Sequence, residues 1–144
     1  MDQITILRFI SALALASLCG ALYAAHDALR IYWQDHQAHP QPLAHGGRAA
    51  IRLAGVVLLS LACTRPGLGW IAALATPLAL HLAFALPFQL LLNRDRERPW
   101  DYVGLSNLYD RTLTAHFGDY AGEVGATLMA GGLLLAVSLR LFNA

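Results

Sequence analysis

Apolar residues gather in four runs, at residues 4–25, 49–64, 70–92 and 122–141, separated by polar stretches at about 35–47 and 93–121. At about 1.5 Å of rise per residue, a helix over the first, third or fourth run is long enough to cross a hydrocarbon core of about 30 Å. The first helix is expected to continue to about Gln34. The second run is short, and spans only if Arg48 and Arg52 extend to the interface, as long arginine side chains do. Between the second and third runs, Arg65-Pro66-Gly67-Leu68-Gly69 has the form of a type II turn with Gly67 at positive φ, which makes those two helices an antiparallel hairpin. Within the second polar stretch, Leu105, Leu108, Tyr109, Thr112, Leu113 and His116 recur at helical spacing, with Ser106 available as a cap. That pattern predicts a short amphipathic helix lying in the interface plane. The fold expected is all-α: a single integral membrane domain over residues 1–144, with four spans in a bundle and one interfacial helix before the last.

Composition strengthens the membrane reading. Of 144 residues, 57% are hydrophobic and 13% charged, against about 25% charged in an ordinary soluble domain. Such a chain is neither a disordered polypeptide nor a nucleic-acid-binding one. Net charge is +1, and every cationic side chain is arginine. Ala21, Ala24 and Ala25 resemble a signal-peptide cleavage site, but Asp2 and the length of the first run favour an uncleaved span. Arg30, Arg48, Arg52, Arg94, Arg96, Arg98 and Arg111 fall on the side of the two long polar stretches; Arg8, Arg65 and Arg140 fall on the other. The positive-inside rule therefore expects a bacterial inner-membrane protein with its long loops in the cytoplasm and both termini outside. Cys19 and Cys63 fit no disulfide or metal spacing and read as small apolar residues.

Helices in lipid associate where small residues let their backbones approach. The first run carries Ala12, Ala16, Gly20, Ala24 and Ala28 at every fourth position; the last carries Gly118, Gly122, Ala126 and Ala130. These two ridges are expected to meet and close the bundle, or to serve contacts with other copies or other membrane subunits. Pro77 and Pro87 should bend the third helix and free the carbonyls of Ala73 and Ala83.

Candidate chemistry is sparse. His81, between the prolines, reads either as a stop on a proton or metal path or as a neutral imidazole bonded to a freed carbonyl. Tyr23, His26, Asp27 and Arg30 share one helix face near the long-loop end, and His45, Arg48 and Arg52 approach the same level. Together they form either an ion-paired helix end or a pocket for a lipid phosphate. His36, His39 and His45 lack the spacing of a zinc finger or of an HExxH helix, so no metal or cofactor is assigned. Asp95, Asp101 and Asp110, beside several arginines, make either a salt-bridged loop or the parts of a phosphorylated-lipid site, with Arg48, Arg52 and Arg96 on the phosphate and Asn93 and Arg111 as further candidates for the same polar pocket.

The pattern Asn93, Arg96, Trp100, Tyr102, Gly104, Ser106, Asp110, Arg111 resembles a segment of small, uncharacterised multi-pass membrane proteins of phages and prophages. The resemblance implies an accessory or mobile-element role and carries no activity. The function expected first is a non-enzymatic accessory or structural subunit of a membrane complex, with the lipid bilayer as solvent and no nucleic-acid partner. Its rivals are an enzyme or carrier for a phosphorylated lipid, a proton or metal path through His81, and a holin-like or exclusion role.

Overall fold

A computed structural model describes residues 3–35, 44–63, 69–103 and 108–143, except for the helix side chains at 30–35, 44–51, 53 and 108–109. The Pro66-Gly67 turn, the histidine-bearing stretch around His36 and His39, and the Ser106 cap lie outside the described residues. The described chain is all-helical: α1 (Gln3–Asp35), α2 (Ala44–Cys63), α3 (Trp70–Asp95), α4 (Leu108–Phe117) and α5 (Ala121–Phe142), with a 3-10 turn (Gly118–Tyr120) before α5. Three stretches are long and apolar enough to cross a membrane: Gln3–Leu29, Trp70–Asp95 and Asp110–Phe142. In α2 the described apolar part is Ala54–Cys63.

Alanine and leucine, both strong helix formers, dominate these segments and leave few breakers. The two prolines expected to bend α3 sit inside one continuous helix. Beside Pro77, the buried Thr76 hydroxyl donates to the Ala72 carbonyl at 2.7 Å, so its polar group is satisfied within its own turn.

α3 is the central post. α1 packs along one side of it, α5 along the other, and α2 covers part of it. The α1 ridge is therefore used against α3 and not against α5, which corrects the pairing expected from spacing. Ala12, Ala16 and Ala24 are buried, and a Cβ at Gly20 would collide with the Phe84 backbone carbonyl. α3 is itself rich in buried small residues, with Ala72, Ala75, Ala79 and Ala83 all buried. Small residues at a helix contact let two backbones come together, the arrangement that favours association in lipid.

The α5 face differs as well. Its buried residues are Ala121, Gly122, Gly125, Ala136 and Arg140, while Ala126 and Ala130 are half-buried. Gly118 stands outside α5, at φ +54, and makes the break between α4 and the 3-10 turn. Glycine is suited to that left-handed backbone because it has no Cβ to clash.

At the end of the molecule away from the long polar stretches, Arg140 is completely buried. Its Nη2 donates to the Cys63 carbonyl at 3.2 Å, and its guanidinium lies 5.4 Å from the Phe9 ring centre. The helix C-terminus of α2 carries partial negative charge, which a cation stabilises. Arg140 thus ties α5 to the end of α2 and the start of α1.

Replacing Gly20 by Val forces a branched side chain into the Phe84 carbonyl and must separate α1 from α3. Overpacking of this kind costs typically about 1–3 kcal/mol. Thermal unfolding of the purified variant in mild detergent should show a clearly lowered midpoint; an unchanged midpoint would mean the two helices are not in this contact.

Candidate functional site

Polar side chains concentrate at the long-loop end, where α1, α2 and α3 converge. Asp27 of α1 is buried, and its carboxylate lies 3.6 Å from Arg52 Nη2 and 3.9 Å from His26 Nδ1. The Arg52 guanidinium sits 4.5 Å from the ring centres of both Tyr23 and Phe88, and 5.6 Å from that of Phe84. Phe84 and Phe88, one turn apart on α3, stack with centroids 5.9 Å apart. Aromatic faces attract a guanidinium, by about 2 kcal/mol when it is desolvated. Arg52 is therefore anchored by one carboxylate and by ring faces, while its buried Nε makes no hydrogen bond among the described residues.

A second construction begins where α3 ends. The Glu97 amide donates to the Arg94 carbonyl and the Arg98 amide to the Asn93 carbonyl, with Glu97 at φ 53. This is a Schellman ending, which reverses the chain and satisfies carbonyls the helix leaves open. The chain then folds back along α3 and is pinned there. Asn93, 2% exposed, donates from Nδ2 to the carbonyls of Trp100 (3.0 Å) and Tyr102 (2.9 Å), and Gln89 Nε2 adds a third bond to Tyr102 (3.0 Å). Arg98 lies over the Tyr102 ring at 5.2 Å. The strap so held, residues 96–103, reaches α5 at Gly122, where the Asp101 backbone carbonyl occupies the space any Cβ would need.

Strap, α3 and α5 together enclose a groove of about 680 Å³. Its mouth, at the long-loop end, is lined by Arg52, Gln89, Trp100, Asp101, Tyr102 and Asp110. Deeper in, its walls are Leu78, Leu82 and Ala85 of α3 and Gly125, Ala126, Met129 and Gly132 of α5. From Gln89 to Leu78 the groove follows α3 for roughly 16 Å at 1.5 Å per residue. The α5 wall is low because its residues are glycine and alanine, so the small residues that suggested a packing ridge also make space.

The structure thus brings together Asp27 and Arg52, and places Arg52, Asp101 and Asp110 around one cavity. Asp101, half-buried, has no hydrogen bond or ion pair among the described residues. Asn93 lies at the loop end as a clamp rather than as a lining group. Arg96 and Arg111 are exposed, and Arg94 pairs with Asp95 at 2.8 Å on the outside. His81 is exposed and borders the deep part of the groove, with no carbonyl partner among the described residues. The side chains of Arg30, His45 and Arg48 lie outside the described residues. Sequence reasoning did not single out Gln89, Phe84 or Phe88. The signal available was an aromatic pair four residues apart, followed by one amide in an apolar run. Among the described residues no three His, Cys, Asp or Glu side chains converge as metal ligands. The chain matches no protein-family model, no curated protein and no solved structure.

Truncating Asn93 to Ala removes both of its side-chain donors and leaves the Trp100 carbonyl without that partner. Losing these side-chain bonds to a part-buried main chain costs about 1 kcal/mol for each bond. The strap should then detach, and trypsin should cut after Arg96 several times faster than in the parent protein under native conditions. Equal cleavage rates would show that Asn93 does not hold it.

Proposed function

We propose that this is an integral membrane protein in which α1, α2, α3 and α5 are four packed spans, α4 rests at the interface, and the groove between α3 and α5 holds a phosphorylated lipid. The observation that carries the reading is the groove itself: charged at its mouth, apolar below, and roughly 16 Å deep, close to half of a hydrocarbon core of about 30 Å. A lipid entering from the leaflet on the long-loop side would lay its chains along Leu78, Leu82 and Met129 and bring its phosphate to Arg52. Arginine suits that role because its planar guanidinium offers several donors to phosphate oxygens.

Support for the bilayer as solvent comes from the outer surface. Leu7, Leu18, Leu22, Leu58, Leu74, Leu134 and Leu135 are exposed, a surface water would not tolerate on this scale. Trp70 at one end of α3, and Trp100 and Tyr120 at the other end of the molecule, are also exposed, in keeping with aromatic anchors at two interfaces. The long loops face the cytoplasm in this reading, with both termini outside a bacterial inner membrane, as the arginine distribution suggests. Holding a lipid is compatible with an accessory role, in which the chain presents or hands on the lipid. It is favoured over a role built on the α1 small-residue ridge, because α3 already covers that ridge.

The test is lipid retention. Protein extracted in mild detergent should carry about one phospholipid per chain in this groove. Arg52→Gln should lower retention about tenfold, the effect of losing roughly 1.4 kcal/mol of binding. Ala126→Trp, which fills the groove from the α5 side without touching the mouth, should lower it similarly. Lipid-free parent protein that remains folded, or retention indifferent to both changes, would overturn the proposal.

A further inference from the structure

Building on the lipid-groove reading, we infer that the preferred lipid carries a phosphate together with a protonated primary amine, as in a phosphoethanolamine headgroup. The argument is charge complementarity at the mouth. Among the described residues Arg52, Asp101 and Asp110 are the charged groups that line it, and Asp110 is already engaged. The Arg52 guanidinium is shared with the buried Asp27 at 3.6 Å. A purely anionic headgroup would gain that shared cation and face the Asp101 carboxylate. A headgroup with charges of both signs meets Arg52 and Asp101 each with its opposite.

The Asp101 carboxylate sharpens the choice. It is half-buried and has no hydrogen bond or ion pair among the described residues, yet the strap holding it is fixed by Gln89 and Asn93 and seated on Gly122. A carboxylate held in place with open acceptor sites suits a donor of several N–H bonds, which a primary ammonium supplies. A trimethylated ammonium has no N–H and would use charge alone.

The experiment reconstitutes the full chain into vesicles of equal parts phosphatidylethanolamine, phosphatidylglycerol and phosphatidylcholine with identical acyl chains, re-extracts it in mild detergent and quantifies the lipid that stays bound. Phosphatidylethanolamine should be enriched about tenfold over both others, a 1.4 kcal/mol preference. Asp101→Asn should abolish the preference while total bound lipid persists, and Asp101→Glu should restore part of it; a thermal melt of each variant confirms that it is folded. Bound lipid without enrichment of the amine, enrichment unchanged by Asp101→Asn in the folded variant, or retention of phosphatidylglycerol that needs magnesium would overturn the headgroup assignment while leaving the groove reading standing. No bound lipid at all would overturn both.

Discussion

The contact on which the structure depends is the close approach of α1 to α3, where Gly20 meets the backbone of Phe84. There the buried small residues of α1, Ala12, Ala16 and Ala24, let the two backbones approach. On its α5 side the same helix sets Leu82 against Gly132, and Leu78 and Ala85 line the groove with Gly125 and Ala126 of α5. One helix thus closes a seam on one side and borders a groove on the other.

A second dependence runs through Asn93. Amide side chains inside an apolar helix end are costly to bury unless their donors are used. Here both the side chain and the carbonyl of Asn93 are spent on the returning chain. That return brings Asp101 to the mouth of the groove, and Gly122 permits it because no side chain stands in the way. Loop position, mouth charge and the start of α5 are therefore one construction. Conservative changes at Asn93 or Gly122 would act on the groove although neither side chain supplies its charge.

The sequence made the all-helical character legible, because runs of alanine and leucine with few breakers leave little alternative. The polar end of the molecule was legible too, since Asp27 and Arg52 sit at the loop-facing ends of their helices. Neighbour order was not. A small residue every fourth position marks a face that can pack closely but says nothing of what it packs against, so α1 and α5 looked like partners when α3 stands between them. Gly118 fitted the ridge by spacing although its backbone leaves the helix. Gln89 was invisible for another reason: its role is set by a carbonyl thirteen residues away, and no local pattern announces such a bond. Asn93 was noticed as polar and read as part of a pocket, when its chemistry goes to the main chain.

The groove also constrains what surrounds the protein. A groove of about 680 Å³ left vacant would forfeit packing contacts along all of its walls. The groove must therefore be filled by its solvent. Water would meet Leu78, Leu82 and Met129 along most of its depth, with Arg52, Gln89, Asp101 and Asp110 polar at the mouth. Hydrocarbon meets those walls without penalty and cannot satisfy the mouth. An amphiphile does both at once, with its chain replacing the contacts the low α5 wall omits and its head meeting Arg52 and Asp101. The walls and the mouth thus make opposite demands, and a molecule that meets both must be apolar along most of its length and charged at one end.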